Sequence, residues 1–135
     1  MKANELRIGN CVEFLGKPVK IKGIYALDKR LDMYYLKIDD YIDSKIIHFK
    51  PIPLTEEWLL KFGFELSKFH LTQYNVKLFK LNGYGVQFKE WESYYGKKSM
   101  DWVFIIHSFD SVKLEHVHQL QNLYFALTGE DLTVK

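Results

Sequence analysis

The 135-residue chain lacks most of the features that would assign it to a class of proteins. It has one cysteine, Cys11, so it can form neither an internal disulfide nor a cysteine-rich zinc site. No apolar run approaches the ~18 residues of a membrane-spanning helix, and the first residues lack the apolar core of a signal peptide. The sequence therefore predicts a soluble cytoplasmic protein that does not associate with a membrane.

The charge balance is also uninformative. Nineteen Lys and Arg residues stand against seventeen Asp and Glu residues, a net charge of +2. This excess is too small to indicate a nucleic-acid-binding or membrane-surface protein by itself. Apolar residues make up 47% of the chain and aromatic residues 16%. Such a composition excludes disorder, collagen-like repeats and a coiled coil, and a chain of this length can bury a full hydrophobic core.

The predicted fold is α+β, in a single domain over residues 1–135 that has two parts. Residues 1–50 hold about four short strand-like runs between turn residues, and we expect a small β-barrel-like unit, because closure removes exposed sheet edges. Residues 54–135 are predicted to form a short helix, an antiparallel sheet and a long C-terminal helix packed on that sheet. The strand-like runs are 11–14, 19–25, 33–38 and 46–49.

Local signals are clearest in the second part. Thr55, followed by two glutamates, predicts the start of a helix, and Gly63 predicts its end. Asn82-Gly83 predicts the two-residue loop of a type I′ hairpin. Residues 102–106 are apolar without alternation, which is typical of a strand that is covered on both faces.

The last helix is predicted from Lys113 to Thr128, with Ser111 as its cap and Gly129 as its end. We expect its apolar side to pack on the strand at 102–106, so that both share one hydrophobic nucleus. The opposite side is predicted to face water and is the second candidate binding surface. Its members are Glu115, His118, Gln119 and Asn122.

Three segments carry a family resemblance: residues 4–10 (NELRIGN), 51–64 (PIPLTEEWLLKFGF) and 118–130 (HQLQNLYFALTGE). Together they resemble a group of short uncharacterised proteins of Bacteroides-type bacteria, often encoded in phage-like or other mobile elements. The resemblance implies a cytoplasmic accessory protein of phage-related origin. It implies no activity, cofactor or catalytic residue.

The titratable residues do not form a recognisable catalytic or metal-binding pattern. His116 and His118 would point about 200° apart on a helix, so they could not bind one metal ion together. Cys11 has no local base, and a buried strand thiol is the simpler interpretation. We therefore predict no metal, no cofactor and no enzyme. The remaining acidic groups, interpreted as turn or solvated residues, are Asp39, Asp40, Asp43, Glu90, Glu92 and Asp101.

The first candidate binding surface is the segment at 91–100, which combines aromatic and basic residues in a predicted loop. Large rings are hard to bury in one loop, and Trp or Tyr beside Lys is typical of protein anchor sites and of base-stacking platforms. The alternative, that the rings pack back on the protein, stays open. The surface consists of Trp91, Tyr94, Tyr95, Lys97, Lys98 and, on the preceding strand, Lys89.

Three functions compete on these observations. The favoured one is a non-catalytic interaction module that binds an unidentified protein partner through the 91–100 segment. The alternative is a protein that binds single-stranded or duplex nucleic acid with the same residues. A hydrolase is the third, and it would need His107 or His118 beside a carboxylate in a deep pocket. The aromatic content also permits a homodimer.

Overall fold

The computed structural model describes residues 1–31, 33–38, 43–67, 76–92, 94–107 and 110–135, without the side chains of residues 43, 90–92, 107 and 110. Over these residues the fold is mixed α+β, with mostly antiparallel sheets and two α-helices. The helices are α1 (Glu56–Lys61) and α2 (Val117–Thr128), and short 3-10 helices span Ala3–Glu5, Lys29–Leu31 and Ile46–His48. The strands are β1 (Cys11–Phe14), β2 (Lys17–Lys20), β3 (Gly23–Asp28), β4 (Met33–Lys37), β5 (Asp43–Lys45), β6 (Phe49–Lys50), β7 (Glu65–Leu66), β8 (Lys77–Leu81), β9 (Tyr84–Glu92), β10 (Lys98–His107) and β11 (Asp110–Leu114).

The chain divides into two compact units. Unit 1 contains Met1–Pro53 and His116–Thr133, and unit 2 contains Leu54–Glu115 and Val134–Lys135. Helix α2 therefore belongs with the N-terminal strands, whereas the sequence pattern predicted it on the sheet of the second half. The prediction that this helix and the strand at 102–106 share one hydrophobic nucleus is therefore wrong, because Leu120 lies in unit 1 and Phe104 in unit 2. The single-domain organisation stays a prediction.

Unit 1 contains two three-stranded sheets, in the orders β2-β1-β6 and β3-β4-β5. The predicted strand at 19–25 is divided between them. The Ile21 N–H donates to the Asn10 carbonyl at 2.9 Å, and the next N–H, of Lys22, donates to the Lys37 carbonyl at 2.7 Å. No closed barrel is found among the described strands, so the barrel-like unit is not confirmed. One buried cluster serves both sheets and consists of Leu6, Val12, Ile21, Leu36, Ile38 and Phe49.

The turn between β1 and β2 contains an unusual residue. Phe14 pairs with Lys17, so Leu15 and Gly16 form a two-residue loop, with φ angles of 51° and 78°. Positive φ at both positions is the backbone of a type I′ turn, which favours Asn or Gly. A leucine in this conformation is strained by its Cβ, and the Leu15 side chain is 82% exposed and gains little by burial.

We expect Leu15→Asn to raise the free energy of unfolding by about 1 kcal/mol, because asparagine tolerates the left-handed conformation that leucine resists. Urea denaturation measures the change. Leu27→Asn is the matched control, since Leu27 is a similarly exposed leucine within β3, at 60%, and has no positive φ. A gain in the control equal to that at Leu15 would show that lost surface hydrophobicity, not backbone strain, is responsible.

In unit 2 the short helix and the hairpin are confirmed. The Thr55 hydroxyl accepts a hydrogen bond from the Trp58 N–H at 3.4 Å at the start of α1, and Gly63 has a φ of 92° just after its end. Asn82 and Gly83 have φ angles of 49° and 83°, and Leu81 pairs with Tyr84 as the type I′ loop predicted.

Unit 2 contains a five-stranded sheet in the order β11-β10-β9-β8-β7. The predicted strand at 102–106 is part of β10, which is an interior strand. Val103 and Phe104 point to opposite faces of the sheet and are 5% and 0% exposed, so both faces are covered at this point. Further along, Ile106 is 42% exposed, so the cover does not extend over the whole predicted segment.

Helix α2 begins four residues later than predicted. Ser111 lies in β11, where it pairs with Ile105, and His116 occupies the N-cap position in an extended conformation. The alternation from Ser111 to Leu114 has the period of a strand, and the hydrogen bonds to β10 complete that strand. The C-terminal end is confirmed, because Gly129 follows the helix with a φ of 74°.

Candidate interaction site

The 91–100 segment forms the end of a long β-hairpin in unit 2. Strands β9 and β10 pair without interruption from Gly85↔Ile105 to Glu92↔Lys98. Residues 94–97, as far as the connection is described, form a loop between them, and Gly96 supplies a positive φ of 74° within it. The paired strands therefore hold the loop in place at the end of a regular two-stranded arm.

Two tyrosines at this loop are almost completely exposed. Tyr94 is 99% and Tyr95 is 92% exposed, and their rings meet edge to face with centroids 5.6 Å apart. The alternative that these rings pack back on the protein is therefore excluded for both. The Trp91 side chain lies outside the described residues, although its backbone pairs with Ser99 in the sheet.

The basic residues of this surface differ in their placement. Lys97 and Lys98 are exposed beside the tyrosines, whereas Lys89 is partly buried within β9. We name the exposed set Tyr94, Tyr95, Lys97 and Lys98 the hairpin tip. Two aromatic rings and two ammonium groups at one end of a hairpin can anchor in an apolar pocket with an acidic rim, or stack on bases beside phosphates.

Asp101 lies opposite Lys89 in the sheet, but its carboxylate forms an ion pair with a different lysine. The Lys113 Nζ and Asp101 Oδ1 atoms are 3.4 Å apart. The hydrogen bonds that the Lys113 ammonium donates to Asp101 and Glu115 raise its pKa, and the negative charges of both carboxylates add to this effect. Asp101 thus acts as a partly buried ion-pair partner along the sheet, whereas the sequence pattern favoured a solvated residue. The side chains of the other predicted acids, at 39–43, 90 and 92, lie outside the described residues.

The second candidate surface does not form a common exposed face. Glu115 is exposed but precedes the helix, and the Gln119 side-chain oxygen accepts the His116 N–H at 3.0 Å at the helix start. His118 is only 2% exposed. Asn122 accepts from the side chain of Asn10 at 2.9 Å and donates to a backbone carbonyl at 2.8 Å. Gln119 thus caps α2 and Asn122 attaches it, while the prediction that His118 faces water is wrong.

The two histidines at the start of α2 are arranged differently from the prediction. His116 is the N-cap and not a helical residue, so the 200° separation does not apply, and the rings stack with centroids 5.7 Å apart. Burial and, to a smaller extent, the neighbouring His116 lower the pKa of His118 from 6.5 to about 4, while Glu5 opposes the shift. Over the described residues no group of three His, Cys, Asp or Glu side chains is placed to hold a metal ion. His70 lies outside the described residues, and so does the side chain of His107.

Cys11 lies in β1 and is a free thiol that is partly buried. Burial raises the pKa of this thiol, which a hydrogen bond with Gln121 and the charge of Lys20 partly offset. A raised pKa reduces the thiolate fraction that a nucleophile needs. The predicted role as a strand thiol agrees with this placement.

One further surface, on the sheet β3-β4-β5 of unit 1, was not predicted from the sequence. Tyr25, Tyr35 and Lys45 lie side by side across its three strands, and a cavity opens next to them. The sequence carries no clear signal for it, because the exposure of Tyr25 depends on how the rest of the chain folds.

Comparisons with known proteins give no functional information. No family model matches the chain, and neither the curated proteins nor the solved structures contain a significant match. None of the described helices has the length and apolar character needed to cross a membrane. The resemblance to proteins of Bacteroides-type bacteria stays a prediction.

Proposed function

We propose that this protein is a non-catalytic interaction module that binds a partner protein by inserting the hairpin tip into the partner's surface. The observation that carries the proposal is the exposure of Tyr94 and Tyr95, at 99% and 92%. An accessory role in a phage-like or mobile element belongs to the same proposal and is supported by the family resemblance alone.

Tyrosine is well suited to this task. Its ring supplies a large apolar contact and its hydroxyl a hydrogen bond, while only two side-chain torsions must be fixed on binding. Tyr94 and Tyr95 contribute almost nothing to burial in the free protein, so their full surface is available to a partner. Such residues are enriched among the few that dominate interface energies.

The hairpin also reduces the entropic cost of binding. Eight consecutive cross-strand pairs join β9 and β10 up to the loop. The loop residues are therefore presented by a preformed support, and less freedom is lost on binding than from an unstructured peptide. Lys97 and Lys98 add positive charge beside the rings, which favours an acidic rim on the partner.

We expect the double substitution Tyr94→Ser and Tyr95→Ser to abolish partner binding while changing the free energy of unfolding by less than about 0.5 kcal/mol, because exposed side chains contribute little to stability. The full chain and the variant are used as paired baits in native lysate, and retained proteins are quantified by mass spectrometry. Photo-crosslinking from a benzophenone side chain at position 94 then identifies direct contacts.

The matched control is Leu27→Ser with Leu31→Ser, which removes two other exposed apolar side chains, in unit 1. A protein retained by the wild type and the control, but lost with the tyrosine variant, supports the proposal. If every retained protein is unaffected by loss of both tyrosines, the hairpin tip is not the binding surface.

Nucleic-acid binding is the second candidate, because Lys97 and Lys98 follow the exposed rings at the same end of the hairpin. Fluorescence anisotropy with single-stranded and duplex oligonucleotides at low salt tests it. Binding through phosphates would weaken with salt, with a log–log slope of about −0.7 to −0.9 for each contact. Absence of binding at low salt would eliminate this candidate and leave the protein-partner proposal unaffected.

A further inference from the structure

The outer face of the sheet β3-β4-β5 carries a row of three side chains. Tyr25 pairs with Tyr35, and Tyr35 pairs with Lys45, so the three residues lie side by side across the strands. The two tyrosine rings are nearly parallel, at 8°, with centroids 6.1 Å apart. This stacking restrains the Tyr35 ring before any ligand binds.

A cavity of about 320 Å³ lies beside this row. An apolar cavity of roughly 150 Å³ is enough to bind benzene, and typical small-molecule sites begin at about 300 Å³. The volume therefore suits a ligand of about two fused rings. The lining is almost entirely apolar and consists of Met33, Tyr34, Tyr35, Lys45, Ile46 and Ile47.

We infer that this cavity binds a small aromatic carboxylate, with its rings against Tyr35 and the aliphatic side chains and its carboxylate at the Lys45 ammonium. The inference goes beyond the proposed function, since it concerns a different surface in the other unit. Among the described residues that line the cavity, Lys45 is the only charged one, so it sets the sign of charge that these residues favour.

The chemistry of the walls favours aromatic rings. Tyr35, which shares a sheet face with Lys45, offers its ring for offset or edge-to-face contacts, and the Met33 sulfur makes favourable contacts with ring edges. A carboxylate forms a charge-assisted hydrogen bond with the exposed Lys45, whereas a neutral ligand leaves it solvated and a cationic ligand is repelled. Size, lining and charge thus agree on a planar monoanion.

The test uses 2-naphthoate with the full chain, followed by ¹H–¹⁵N NMR titration. We expect a Kd on the order of 0.1 mM, with the largest shift changes at residues 33–35 and 45–47. 2-Naphthalenemethanol, which has the same rings without the charge, should bind about fivefold to tenfold more weakly. Equal affinity for the two compounds, or shifts centred elsewhere, would overturn the assignment.

Substitution of the lysine separates charge from packing. Lys45→Met keeps an unbranched side chain and should weaken 2-naphthoate binding about fivefold to tenfold without changing binding of the neutral compound, whereas Lys45→Arg should preserve it. The matched control is Lys50→Met, an exposed lysine on β6 of the same unit. An equal loss of 2-naphthoate affinity in both methionine variants would show that net charge, and not a specific site, attracts the ligand. Self-association through this face in place of ligand binding would also contradict the assignment. These outcomes are independent of the hairpin tip in unit 2.

Discussion

Replacing Gln121 with alanine is expected to lower the free energy of unfolding by about 3 kcal/mol, because three backbone groups lose a partner in a buried setting. The Gln121 side chain is 4% exposed. Its oxygen accepts the Cys11 N–H at 2.8 Å, and its nitrogen donates to the carbonyls of Gly9 at 3.2 Å and Leu132 at 3.1 Å. One side chain thus joins α2 to β1 and to the C-terminal segment. Urea denaturation of the full chain measures the loss.

Two further variants distinguish hydrogen bonding from packing. Gln121→Leu retains most of the volume but none of the hydrogen bonds, so it should be nearly as destabilising as the alanine variant. Leu127→Ala on the same helix is the control, and should cost less than about 1 kcal/mol because Leu127 is 39% exposed. A leucine variant as stable as the wild type would show that the amide fills space and that its hydrogen bonds are dispensable.

The features that the sequence predicted correctly are encoded within a few residues. The Asn82-Gly83 loop needs only two residues that tolerate positive φ, and the ends of α1 need only a capping hydroxyl and a glycine. The position of the hairpin tip was also predictable, from the density of aromatic and basic residues. Its exposure was not, because exposure depends on where the rest of the chain lies.

The errors concern contacts between distant segments. The period of the residues from Val117 onward indicates an amphipathic helix but not the surface on which it packs. That choice depends on buried amides, since Gln121 and Asn122 bind groups more than one hundred residues earlier in the chain. Polar residues on a helix are usually solvated, so the pattern alone assigned the buried His118 to the wrong environment.

The pH dependence of stability is the second large effect that we expect, and it arises at His118. The His118 side chain is 2% exposed, and its Nδ1 atom has no hydrogen-bond partner within the described residues. Burial lowers its pKa from 6.5 to about 4, and the facing charges are His116 and the N-terminal amine, which lower it, and Glu5, which raises it. The folded state therefore binds a proton less readily than the unfolded state.

The direction of the effect follows from this difference. The contribution of His118 is complete above pH 6.5 and is lost as the pH falls toward 4, because the unfolded chain gains a proton that the folded chain excludes. The loss amounts to about 2 to 3 kcal/mol. His118→Phe removes this titration. The unfolding free energy of the wild type minus that of the variant should therefore fall by this amount between pH 7 and pH 4. Carboxylates that titrate in both proteins cancel in this difference. His48→Gln, which removes an exposed imidazole in the same unit, should follow the wild-type curve. Parallel curves for wild type and His118→Phe would mean that the imidazole accepts its proton without opening the start of α2.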